Sequence, residues 1–158
     1  MEEASIHAIE DVYRRHYRRF LRVALALTGG REQADDAVQE AFARAIRNRS
    51  AYRGEGTLDG WLWQILVNVC RDAHRRPADL ASLDEPSGLN GQAEEWPELR
   101  AAVAALPERQ RLVLFLRHYA DLDYETIATV LGVQRGTVAA TLHTAHSALR
   151  RAMTEVKR

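Results

Sequence analysis

The chain has 158 residues, 46% of them hydrophobic, enough for one packed domain or two small ones. Its 22 basic and 22 acidic residues cancel, but unevenly: residues 1–77 carry net +2, residues 78–97 net −5 and residues 98–158 net +3. The single cysteine, Cys70, excludes an internal disulfide and a multi-cysteine zinc site, no apolar run approaches a membrane span of about 20 residues, and the N-terminus lacks a signal-peptide pattern, so a cytoplasmic protein without membrane insertion is expected.

In chain order, Ile6 to Thr28 reads as a long helix, with Ile9, Val12, Tyr13, Tyr17, Phe20 and Leu21 at three- and four-residue spacing and Gly29-Gly30 as its stop. A second helix is expected from about Glu32 to Arg47. Its apolar stripe is Ala34, Val38, Ala41, Phe42 and Ala45, and Asp36, Gln39, Glu40, Ala43 and Arg47 fall on the other side. Asn48 to Thr57, with Gly54 and Gly56, reads as a loop. A third helix, about Leu58 to Arg76, is apolar almost all round from Trp61 to Cys70. Its exceptions, Gln64 and Asn68, continue through Arg71 and Arg75 as one narrow polar stripe, the pattern of a mostly buried helix with one strip left for a partner. Trp61 and Trp63 sit among apolar neighbours and read as core rather than as stacking platforms. Pro77 ends the helix.

Residues 78–95 have the composition of a flexible acidic linker. Beyond it, helices are expected over Trp96–Leu106, Pro107–Ala120, Tyr124–Leu131 and Arg135–Met153. Asp123 is a plausible N-cap. The last two form a helix-turn-helix pattern, with small Ala128 for close approach, Gly132 for a positive φ in the turn and Val138 to lock the second helix. Such a unit offers its second helix to a DNA major groove. The fold class is therefore all-α, with two small helical domains, residues 1–77 and 96–158, joined by the linker 78–95.

ADDAVQEAFARAIR, GWLWQILVNVCRDAHRR and LPERQRLVLFLRHYADLDYETIATVLGVQRGTV, in this order, resemble the extracytoplasmic-function (ECF, group IV) sigma factors of bacterial RNA polymerase. The resemblance covers roughly residues 6–76 and 98–152. It implies a sigma-2-like three-helix bundle that binds the polymerase clamp and opens the −10 element, and a sigma-4-like domain that binds the polymerase flap and reads the −35 element. It implies core RNA polymerase and promoter DNA as partners, an anti-sigma factor as a further one, and no cofactor.

On this reading Asp36, Gln39, Glu40 and Arg47 form the polymerase contact; periodicity alone leaves them as an ordinary solvated face. The −10 set is Tyr52 and Arg53 on the loop with Gln64, Asn68, Arg71, Arg75 and Arg76 on the third helix. An amide can pair with a base edge and guanidiniums can hold phosphates. Asn68 and Asp72 match the family pattern. The acidic linker is either a solvated tether or a nucleic-acid mimic threaded through the polymerase.

The −35 set is Arg135, Thr137, Ala139, Ala140 and His143. Here the chain departs from the family it resembles: where members carry something like GTVKSRLHRAR, it has GTVAATLHTAH, with Ala139, Thr141, Thr144 and His146 at the expected Lys and Arg places. Good base contacts are worth about 1–3 kcal/mol each, so −35 recognition is expected to be weak, unusual or partner-dependent, with Arg109, Arg111 and Arg117 as supplementary phosphate contacts. Two other functions stay open, a sigma-like decoy for an anti-sigma factor and an operator-binding regulator. An enzyme is disfavoured, since there is no phosphate-binding glycine loop. The histidines His7, His16, His74, His118, His143 and His146 form no ligand set with nearby carboxylates, so no metal site is expected.

Overall fold

The computed structural model describes residues 4–74 and 96–158 and divides into two compact units, residues 1–88 and 89–158. The described residues contain helices and turns and no strand. The expected Arg75 and Arg76 and the acidic linker lie outside them.

The first unit holds three helices: α1 (Ile6–Thr28), α2 (Arg31–Arg47) and α3 (Leu58–His74). The Ser5 hydroxyl opens α1 by accepting from the Ala8 N–H at 3.0 Å, and Gly29 closes it with φ 81° while its N–H reaches the Leu25 carbonyl at 2.9 Å. Every member of the α2 apolar stripe is buried, together with Ala37. Small alanines bring α2 close to its neighbours, and three aromatics fill the remaining space. The Phe20 ring lies 4.3 Å from Trp63 and 5.2 Å from Phe42, so α1, α2 and α3 share one aromatic contact; Tyr13 meets Phe42 edge-on at 4.5 Å. Phe20 is 0% and Trp63 2% exposed.

Trp63 is core, as its apolar neighbours suggest. Trp61 is not: it stays half-exposed and lies against Tyr52 with ring centres 5.5 Å apart. Cys70 is 1% exposed, and burial pushes its thiol up to about 12, so it is an inert core side chain at neutral pH.

The second unit holds α4 (Pro97–Ala104), α5 (Glu108–His118), α6 (Tyr124–Leu131) and α7 (Arg135–Val156). The elements are those expected, with shifted ends. Pro107 is the residue before α5 rather than within it, because its ψ of 148° is extended, and α7 runs past Met153 to Val156. Leu112 to Leu116 of α5 are all buried, and Ile127, Val130, Val138, Leu142 and Ala145 close the core over them. The Asp123 carboxylate accepts from the Thr126 N–H at 2.7 Å and caps α6. At its other end Gly132 adopts φ 65°, the Val133 N–H reaches the Ala128 carbonyl at 3.0 Å and the Gly132 N–H reaches Thr129 at 3.3 Å, the two bonds of a Schellman stop.

Phe20→Ala is expected to lower the unfolding free energy by about 3–5 kcal/mol in urea titrations, because it empties the shared aromatic contact; a loss below about 1 kcal/mol would contradict that packing. Asp123→Ala is expected to cost about 1 kcal/mol. The bonds from Thr126 hold the Asp123 carboxyl below its ordinary value. Its stabilisation is thus complete above the unfolded aspartate value and lost as pH falls through the lower folded one. The gap between wild type and Asp123→Ala in thermal melts should therefore shrink below about pH 4.

Candidate nucleic-acid interface

The α3 stripe emerges as the sequence pattern requires. Asn68 is exposed and Gln64 and Arg71 are half-buried on a helix whose other positions from Leu62 to Cys70 are largely inside. From Gln64 to Arg71 is a span of about 10 Å along the axis. Tyr52 follows a short 3-10 turn, Arg49–Ala51, and is fixed twice: its ring rests on Trp61, and its hydroxyl donates to the Gly56 carbonyl at 3.1 Å. That return needs the positive φ of Gly54 (73°) and Gly56 (76°). Arg53 is exposed on the same loop. The Tyr52–Trp61 pair therefore presents a ring surface beside the α3 stripe, a feature that local apolarity around Trp61 concealed.

Asp72 lies beside the stripe on α3 and is paired with the neighbouring helix. Its carboxylate lies 3.8 Å from the Arg44 guanidinium of α2, an exposed bridge between helices. On α2 itself the four expected contact residues, Asp36, Gln39, Glu40 and Arg47, split into two kinds. Glu40 accepts from Arg44 at 2.7 Å and Arg47 at 3.3 Å, and the Arg44 hydrogen bond first, then the neighbouring charges, hold its carboxyl below the ordinary range. Asp36 and Gln39 are exposed. The face thus offers one carboxylate already neutralised by its own helix and two groups open to an outside partner.

The outer face of α1, on which apolar periodicity is silent, is basic. Arg14, Arg15, Arg18, Arg19 and Arg22 are all exposed there. Arg14 pairs with Glu10 at 2.6 Å and Arg15 reaches the Asp11 carbonyl at 3.3 Å.

In the second unit, Thr137, Ala140 and His143 are exposed on α7 while Ala139 is half-buried, so the early outward face is almost uncharged. Gln134 precedes the helix without a side-chain cap; its carbonyl accepts from the Thr137 N–H at 3.0 Å, and the Arg135 and Gly136 N–H groups ahead of it have no capping side chain. Beside them lies an open cleft lined by Arg117, Asp121, Asp123, Tyr124, Glu125 and Arg135, three carboxylates against two cations. Two of the expected supplementary cations are engaged internally: Arg117 pairs with Asp121 at 3.3 Å and Arg111 donates to the Ala104 carbonyl at 2.9 Å. Arg109 remains exposed. Across α5 and α7, the Nε2 atoms of His118 and His146 meet at 3.0 Å, and partial desolvation of the largely exposed His118 ring, then His146 and Arg117, lower its basicity.

Among the described residues, no helix is long and apolar enough to cross a membrane. Residues 12–79 match Sigma-70 region 2 and residues 97–149 match Sigma-70, region 4. RNA polymerase sigma factor YlaC of Bacillus subtilis (strain 168) is 29% identical over 161 residues, which cover 94% of this chain and 93% of that protein. ECF RNA polymerase sigma factor SigM of Mycobacterium tuberculosis is 31% identical over 137 residues, 84% of this chain and 70% of that protein. The fold matches the solved structure of the sigma factor RpoE in complex with the anti-sigma factor NepR from Bartonella quintana, with TM-score 0.66, 21% identity and coverage of 92% and 98%. The helical order, the polar stripe on a buried helix, the helix-turn-helix and these matches agree, and the chain belongs to the ECF sigma factors of the sigma-70 family.

Proposed function

We propose that this chain binds core RNA polymerase through the α2 face of a domain spanning residues 1–77 and captures an opened −10 strand on the adjoining loop and α3. A linker, 78–95, leads to a −35-directed domain, 96–158. The observation that carries this reading is the row Gln64, Asn68 and Arg71, polar side chains kept at the surface of a helix whose positions from Leu62 to Cys70 are otherwise largely core, beside the Tyr52–Trp61 rings. A base flipped from the duplex needs an amide for its edge, a ring for its face and cations for its phosphates, and those are the groups brought together. Capture of this kind holds the melted strand by binding alone, so the protein works as an initiation factor and not as an enzyme. It acts where the polymerase is, in the cytoplasm. The anti-sigma factor seen with the Bartonella quintana protein suggests a similar inhibitory partner for this one.

The C-terminal reading is narrower. The α7 face supplies backbone N–H groups, Arg135, the Thr137 hydroxyl and the small Ala139 and Ala140, which suit a phosphate and thymine methyls rather than a row of guanines. The acidic cleft beside the helix start opposes a duplex approaching without help. This same depletion favours the second reading, a sigma-like decoy that occupies an anti-sigma factor.

Transcription with purified core polymerase separates the two, since a decoy yields no promoter-specific transcript. Asn68→Ala and Arg71→Ala should each reduce promoter opening, read by permanganate footprinting, while polymerase binding stays near normal. Asp36→Ala with Gln39→Ala should weaken assembly with polymerase in a pull-down. Retained opening in Asn68→Ala and Arg71→Ala would remove the −10 assignment. For the second domain, gel-shift titration of the full chain against a −35 duplex should give no nanomolar complex at physiological salt; a nanomolar complex would refute weak −35 recognition.

A further inference from the structure

His118 and His146 are 28 residues apart in sequence and meet across α5 and α7, with Nε2 atoms 3.0 Å apart and ring centres 5.3 Å apart. The rings face each other nearly head-on, so one donates and the other accepts a single hydrogen bond. The pair is at the surface: His118 is exposed and His146 half-exposed. A hydrogen bond between two solvated imidazoles adds little to the fold, because water offers each ring the same partner.

We propose that this pair is a two-histidine site for a divalent transition metal ion of the zinc class, clamping α5 to α7. Imidazole nitrogen binds such an ion at about 2.0–2.1 Å, which puts each ring centre about 3.2 Å from it. Two ring centres 5.3 Å apart then subtend about 110° at the ion, the tetrahedral angle. The spacing of the two imidazole rings is thus already that of a bis-imidazole complex. Only the rings must turn, opening the Nε2 separation from 3.0 Å to about 3.4 Å. No group of three or more His, Cys, Asp or Glu side chains in metal-binding reach occurs among the described residues, so water or a partner's donor completes the shell. The site is accordingly open and exchangeable rather than a closed structural centre. Cys70 does not compete for the ion, because it is buried in the other unit. The neighbouring Arg117 is engaged by Asp121 at 3.3 Å, which offsets its repulsion of a cation.

An ion held only when α5 and α7 are packed stabilises the folded unit by mass action. The test uses the tag-free full chain with zinc chloride, followed by equilibrium dialysis and thermal melting. One zinc ion should bind per chain, with a melting temperature that rises with zinc concentration. His118→Ala and His146→Ala should each weaken binding at least tenfold and abolish the rise, while His7→Ala in the first unit leaves both unchanged. X-ray absorption should count two imidazole nitrogens in the wild-type complex. Circular dichroism without zinc identifies any variant that fails to fold; should His118→Ala do so, His146→Gln carries the comparison. Absence of saturable binding, or equal affinity in wild type and folded histidine variants, would overturn the proposal.

Discussion

The N-terminal unit depends on three aromatic rings. Phe20, Phe42 and Trp63 each come from a different helix and meet within about 5 Å of one another or of a shared neighbour, with Phe20 and Trp63 almost wholly removed from water. Once Trp63 is drawn into that contact, the rotation of α3 is fixed, because side chains on a helix keep their angular relation. Leu66, Val67 and Cys70 must then turn inward, and Asn68 has only the surface left. The candidate DNA stripe is in this sense a product of core packing. The alanines of α2 act in the same direction, since their size lets the aromatic side chains of α1 and α3 close over them.

The second unit is governed by backbone rather than by aromatic packing. Asp123 starts α6, and the Gly132 stop turns the chain within three residues, Gly132 to Gln134, so α7 emerges with Val138 and Leu142 facing the core. What the helix then presents is set by substitution on its outer face. Polar and small residues stand where the family resemblance leads one to expect cations, and the adjacent cleft holds more carboxylates than guanidiniums. Architecture and electrostatics therefore differ: the shape is that of a helix-turn-helix, while the early outward face of α7 is almost uncharged.

Much of this was legible in the sequence because amphipathic helices announce both their faces. The limits of α1 and α6, the buried members of the α2 stripe, the outward row on α3 and the glycine turn all follow from residue type and spacing. Helix ends shifted where a proline fixed φ but the following ψ decided membership, as at Pro107. Long-range pairing was not legible. Nothing near Trp61 reveals that Tyr52 folds back on it, nothing near Arg111 shows that it reaches the Ala104 carbonyl, and the separation of His118 from His146 hides their meeting. The arginine face of α1 is written in the spacing of Arg14, Arg15, Arg18, Arg19 and Arg22, but apolar periodicity reports only the opposite, buried side of a helix. Residues 75–95, with two expected phosphate contacts and the linker, lie outside what the structure describes.

On the proposed reading, a packed helix displays Gln64, Asn68 and Arg71 so that a melted promoter strand can be held while the polymerase is engaged elsewhere on the molecule. Permanganate footprinting of promoter DNA with core polymerase and either wild-type chain or Asn68→Ala measures this most directly. Thymine reactivity near the start site with the wild type, lost in a variant that still co-purifies with polymerase, is the expected result. Equal reactivity with both chains, or none with the wild type on any promoter it occupies, would contradict it.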